Sequence, residues 1–259
     1  MKIESYISRP GKDTNEDYLI MLPSCAGILD GSSGLGGLDF GAKAFVETFA
    51  EHFEKQINIG GTLVESVNHA IEIIKDKYAL EKGKIPPSAS LLLVMETSNQ
   101  LQILSIGDCY CQVFYNNGDY KLISRDEVAP FDQAVISRML EIRKDTDQDL
   151  STLLRTDEIQ DFLISNRKKM NAPDGYRILA PNMEFVREEE VVILPKDNIS
   201  NLVLFSDGFS LMFDEFKNRN WDLERVFDLL RSTEHSDETL NKYPRLKISD
   251  DASAIVLSI

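Results

Sequence analysis

The spacing of apolar positions changes several times along the chain, and each change marks a new element. Residues 18–22 and 26–29 are short apolar runs of strand length. Phe45, Phe49 and Phe53 then recur every four residues, with Val46 and Ala50 beside them, as on one face of a helix. Leu63, Val67, Ala70, Ile71, Ile74 and Tyr78 form a second helical stripe. Gly60-Gly61 separates the two, and Pro86-Pro87 ends the second segment. After that the period shortens. Residues 89–96 read as a buried strand, and 101–106 and 109–115 as two more. Asn116-Asn117-Gly118-Asp119 reads as a hairpin turn into a strand at 120–124.

The helical period returns between about 130 and 170, with Val135, Met139 and Ile142 on one side and Leu150, Leu153 and Leu154 after them. This stretch fits either an insertion over a site or one more packing layer. Beyond Pro173-Asp174-Gly175 come strands at 176–179, 190–194 and 202–205, a short helix through 221–230 and a closing strand at 252–259. No internal repeat or low-complexity linker divides the chain, so residues 1–259 are expected to form a single domain. Strands, two helices, a meander, an insertion and a final strand predict an α+β fold of two antiparallel sheets with helices outside.

Composition narrows the functional classes. The 259 residues are 42% hydrophobic, ordinary for a folded protein, and no apolar run reaches the roughly 20 residues that cross a bilayer. Met1-Lys2-Ile3-Glu4 lacks the pattern of a signal peptide, which points to a cytoplasmic protein with no membrane partner. The formal net charge of −15 would repel a phosphate backbone and argues against nucleic-acid binding. Cys25, Cys109 and Cys111 suggest neither a disulfide framework nor a zinc site. Cys109 and Cys111, two apart on a strand, should face the same way.

Candidate chemistry lies in four acidic clusters. These are Asn15-Glu16-Asp17, Asp30-Gly31-Ser32-Ser33-Gly34, Ser206-Asp207-Gly208 and Asp250-Asp251, each beside a strand-like run. A strand end fixes the direction of a carboxylate, and a neighbouring Gly lets backbone approach an ion. Oxygen ligands of this kind suit Mg²⁺ or Mn²⁺ rather than zinc. Taken singly, Asp and Gly at a strand end are turn signals; together they suggest a metal-dependent hydrolase. Two cations about 3.5–4 Å apart lower the pKa of a shared water and neutralise phosphoryl oxygens, so neither His nor Cys is needed as nucleophile.

In their order and spacing these clusters resemble the metal-dependent protein phosphatases, the type-2C serine/threonine enzymes, in their bacterial form. The resemblance rests on the NED at 15–17, the DG at 30–31, Ser90-Leu91-Leu92, Gly107-Asp108, the SDG at 206–208 and the DD at 250–251, with Asn171 to Tyr176 in support. It implies a four-layer αββα sandwich with a two-metal centre at one end of the sheets. It also implies that Asp30 bridges both Mg²⁺ or Mn²⁺ ions, that the Gly31 carbonyl binds one of them, and that Asp207 and Asp250 bind the other. Glu16 and Asp17 would hold metal-bound waters or complete the outer shell, and Asp126 would serve a looser third ion. A metal-bridging hydroxide would then attack phosphorus directly in a phosphoserine or phosphothreonine of a protein substrate.

Two positions depart from the family pattern. Lys12 stands where many members have the Arg that grips the substrate phosphate, so it keeps the charge but loses the two-pronged geometry. Ser32 stands where many have a His that acts as general acid, a role serine fills poorly at neutral pH. His52, His69 and His235 lie outside every motif. The departures keep a second reading open, a catalytically weak relative that binds a phosphoprotein or partner as a regulator. A third reading is hydrolysis of a small phosphorylated metabolite, with the helical insertion as lid.

Overall fold

A computed structural model describes residues 1–35, 40–78 and 84–259. Its strands are β1 (Lys2–Arg9), β2 (Tyr18–Met21), β3 (Cys25–Ser32), β4 (Ser88–Glu96), β5 (Gln100–Tyr115), β6 (Tyr120–Arg125), β7 (Val192–Pro195), β8 (Ile199–Phe205) and β9 (Ala252–Ser258). Its α-helices are α1 (Ala42–Asn58), α2 (Leu63–Lys77), α3 (Ala129–Thr146), α4 (Leu150–Leu153), α5 (Asp157–Arg167), α6 (Phe213–Lys217) and α7 (Leu223–His235). All strand pairings are antiparallel. One sheet runs β2–β3–β4–β5–β7 and the other β1–β9–β8–β5–β6, so β5 belongs to both.

The layers follow from side-chain alternation. On β4, Leu92 and Val94 point between the sheets and meet Ile28, Ile103, Leu204 and Ile255, while Leu91 and Leu93 point outward onto α1 and α2. A strand covered on both faces has no polar side, which is why 89–96 reads as a continuous apolar run. Phe45, Phe49 and Phe53 of α1 are fully buried against that outer face. On the other sheet Val203, Phe205 and Val256 pack outward against Val226 and Leu230 of α7. The result is the αββα sandwich expected from the sequence. Cys109 and Cys111 both face the inter-sheet core, as their spacing predicts.

Several local expectations are corrected. Residues 101–106 and 109–115 form one strand, β5, whose register shifts between Gly107 and Cys111; Gly107 adopts a left-handed φ of +82°. Residues 176–179 make isolated bridges instead of a strand. The last long helix runs Leu223–His235, about two residues beyond Trp221 and several past Leu230. Strand β1 has no counterpart in the sequence reading because its face is mostly half-exposed, and it is held by pairing with β9. A 3₁₀ segment at Asp207–Met212 and helix α6 were also not anticipated.

Helix α2 starts on a capping box, with Thr62 accepting from Glu65 N and Glu65 accepting from Thr62 N, a device worth about 1 kcal/mol. Helices α3, α4 and α5 share a separate apolar cluster, which also takes in Leu240, Leu246 and Ile248 from the segment before β9.

Candidate active site

At one end of the sandwich the ends of β3, β4 and β8 and the approach to β9 open on a cavity of about 460 Å³. Asp30, Asp207 and Asp250 all line it, together with Asp108, Asp126 and Asp132. Asp30 sits near the end of β3, opposite Ser90 of β4. Asp207 begins the turn after β8, where Gly208 lies so close to the chain before β9 that a Cβ would stand 1.8 Å from the Asp251 carbonyl oxygen. Only glycine allows those two backbones to meet.

Asp251 clamps the amino-terminal loop to this assembly. Its Oδ1 accepts from Gly11 N at 2.8 Å and its Oδ2 from Glu16 N at 2.6 Å. Glu16 in turn accepts from Ser33 Oγ, and Ser33 Oγ accepts from Ala42 N at the start of α1. Gly31 packs under the same loop, where a Cβ would lie 2.4 Å from the Glu16 carbonyl oxygen. Asp17 is buried behind the cavity, and its Oδ2 accepts from Ser206 Oγ at 3.2 Å.

Burial raises the pKa of Asp30 and of Asp207 well above the ordinary carboxylate value. The charges of Asp17, Asp250 and Asp108 push Asp30 further up, and those of Asp30, Asp250 and Asp108 do the same to Asp207. Asp17 is pushed up to about 8, first by burial and then by Asp251, Asp207 and Asp250, against a hydrogen bond from Ser253. Residues from four distant parts of the sequence thus feel one another as neighbours.

Asp17 Oδ1, Asp30 Oδ2 and Asp207 Oδ1 are buried with no hydrogen-bond partner. Buried anionic oxygens without donors are costly unless a cation meets them. With only oxygen donors present, the fitting cation is a hard one of the Mg²⁺ or Mn²⁺ kind. Among the described residues no three His, Cys, Asp or Glu side chains form a preformed metal cage. The carboxylates instead face one space, and Lys247 enters it from the segment before β9.

A family model described as protein phosphatase 2C matches residues 21–243. The chain belongs to the protein phosphatase 2C family. Among solved structures, the phosphatase resembles the Mycobacterium tuberculosis serine/threonine phosphatase PstP/Ppp, with 15% identity, coverage of 98% of this chain and 97% of that one, and a TM-score of 0.57. It also resembles serine/threonine phosphatase Stp1 from Staphylococcus aureus, with 13% identity, coverage of 100% and 96%, and a TM-score of 0.59. A PstP catalytic domain in complex with two manganese ions matches at 16% identity, covering 97% and 95%, with a TM-score of 0.52. A search of curated proteins found no match.

The family match starts after Asp17 and ends before Asp250. The fold brings both unmatched ends onto the matched middle, through the hydrogen bonds of Asp251 to Gly11 and Glu16. Other expected residues are placed differently. Lys12 is exposed beside Gly11 and does not line the cavity. Both oxygens of Asp126 are already engaged: Tyr110 OH donates to Oδ2 at 2.7 Å, and Ala129 N donates to Oδ1 at 2.8 Å at the start of α3.

The phosphatase also has cavity residues to which the sequence reading gave no role. Asp108 pairs with Ser90, whose Oγ donates to Oδ1 at 2.5 Å; the motif Gly107-Asp108 was the available signal. Asp132 on α3, pushed up to about 7 chiefly by burial, had no signal because it lies outside every motif. Arg167 and Lys247 reach the cavity from α5 and from the segment before β9, and only tertiary placement reveals them. The helical insertion walls the cavity with Asp132, Ile136, Leu163 and Arg167. His52 and His69 meet each other in an edge contact at 6.1 Å, and His235 pairs with Glu238 at 2.8 Å; none of the three lines the cavity.

Proposed function

We propose that Asp30, Asp207 and Asp250 hold two Mg²⁺ or Mn²⁺ ions for hydrolysis of phosphoserine or phosphothreonine on protein substrates. The observation that carries this reading is the set of unpartnered buried oxygens on Asp17, Asp30 and Asp207 beside Asp250. The two manganese ions bound by the PstP catalytic domain support the choice of metal and number. A dication pair supplies an ionised water nucleophile and charge neutralisation for the phosphoryl group.

The chain's own residues do the positioning. Asp30 is fixed by the β3–β4 ladder, and Asp207 by the Gly208 contact. Asp17 and Glu16 would hold metal-bound waters or complete the outer shell, and the Gly31 carbonyl would bind one ion. Asp126, whose oxygens each accept one hydrogen bond, from Tyr110 and from Ala129, would keep further lone pairs for a looser third ion. Lys12, exposed beside Gly11, would offer a cation to an arriving phosphate. Residues 1–259 act as one catalytic unit, with α3–α5 as a wall that shapes access, and the free buried cysteines fit a cytoplasmic setting.

Retention of all three principal carboxylates disfavours the regulator reading, because binding a phosphoprotein does not need them. The test is Mn²⁺-dependent hydrolysis of p-nitrophenyl phosphate. We expect Asp30→Asn and Asp207→Asn each to lower kcat by about 10²-fold or more, the scale of losing one preorganised charge-stabilising group. Wild-type rates in both variants would refute the assignment.

A further inference from the structure

Lys247 Nζ lies 2.5 Å from Asp250 Oδ2. The placement is built by the surrounding chain. Leu246 and Ile248, on either side of it, pack into the apolar cluster shared with α3–α5, which turns the intervening lysine toward the cavity. Arg245 braces the segment, donating from Nη1 to Asp237 Oδ2 at 2.9 Å and from Nη2 to the Ile248 carbonyl at 3.1 Å. Arg231 closes its other end, donating to Ser249 Oγ at 2.6 Å and to the Asp250 carbonyl at 2.7 Å.

The lysine side chain is half exposed because it crosses open cavity space, yet its ammonium ends among carboxylates. A lysine is a cation at neutral pH, so the pair with Asp250 is an ion pair. Of the other cations lining the cavity among the described residues, Arg245 is committed to Asp237 and backbone carbonyls, and Arg167 reaches only the Ser32 carbonyl, at 3.4 Å.

The geometry points to Lys247 as a tethered competitor for the metal centre: its ammonium and a divalent cation claim the same Asp250 carboxylate, so metal binds only as Lys247 withdraws. This rests on the reading that Asp250 is a metal ligand. An ammonium and a dication cannot share one carboxylate at contact distance without strong repulsion, whereas either alone neutralises it. Lys247 is thus a positioning residue that sets the metal concentration the enzyme requires. The tether makes it effective, since it never leaves the neighbourhood of the site.

The test is calorimetric titration of chelator-stripped protein with Mn²⁺ at neutral pH, using wild type, Lys247→Met, Lys247→Arg and Lys12→Met. Thermal unfolding confirms that each variant is folded. Lys247→Met should bind its Asp250-dependent Mn²⁺ about tenfold or more tightly than wild type, the scale of one lost charge-assisted bond. Lys247→Arg should stay near wild type, and Lys12→Met, which removes the same charge from an exposed position that does not line the cavity, should change affinity far less. Equal or weaker binding by Lys247→Met overturns the inference, as does an equal gain in Lys12→Met, which would show a general field effect. Absence of Mn²⁺ binding in all four proteins would overturn the metal assignment itself.

Discussion

Ser32 lines the cavity just after Asp30-Gly31, and no histidine lines it among the described residues. The leaving alkoxide of a phosphoserine therefore has no imidazole to protonate it. A positioned general acid contributes about 10²–10⁴-fold, and aryl leaving groups need little of that help. We expect p-nitrophenyl phosphate to be cleaved much faster than a phosphoserine peptide in steady-state kinetics; equal kcat on both would show that another group supplies the proton. At this scale Asp30, Asp207 and Asp250 were legible because each is an acid beside glycine or a second acid at the end of an apolar run. Lys247, Asp132 and Arg167 were not. A lysine between two apolar residues, or an acid on a helix, carries no local mark of the cavity it faces.

The elements that matter most to the site are those that stop at it. Strand β8 ends at Phe205, and the 3₁₀ turn that follows brings Gly208 against Asp251. Gly208→Ala must push the Asp207 turn away from the β9 approach, because the added carbon meets backbone and not a flexible side chain. The expected result is a lower midpoint of thermal unfolding together with a larger loss of kcat than of substrate affinity. An alanine variant with wild-type kcat and melting temperature would show that the contact relaxes freely. Most strands and the long helices α1 and α2 could be read from periodicity, since each buries one or two faces consistently. Strand β1 could not, because its partner is β9 at the far end of the chain. The break expected between 106 and 109 did not occur, because Gly107 bends β5 from one sheet into the other without ending it.

Across the whole molecule, the fold gathers carboxylates that its own interior disfavours as anions. A carboxyl with a higher pKa in the folded than in the unfolded chain gives stability that is complete below its unfolded value and lost as pH rises through its folded value. For Asp17 that window runs from 3.8 to about 8, and Asp132, raised to about 7, adds to it. In chelator, the melting temperature should therefore fall as pH rises across this window, and saturating Mn²⁺ should flatten the fall. A chelated protein that is equally stable at both ends would contradict the burial of these groups as acids. The αββα layering was legible because order and type of elements leave few arrangements, while the convergence of both chain ends on the site depends on Asp251 bonding to Gly11 and Glu16, which no local pattern announces. The most direct measurement is equilibrium dialysis of Mn²⁺ against wild type, Asp30→Asn and Asp207→Asn at neutral pH. The account predicts about two ions per wild-type chain, in line with a two-metal hydrolytic centre, and a clear loss of bound metal in each variant. Undiminished metal binding in both variants, or none in the wild type, would contradict it.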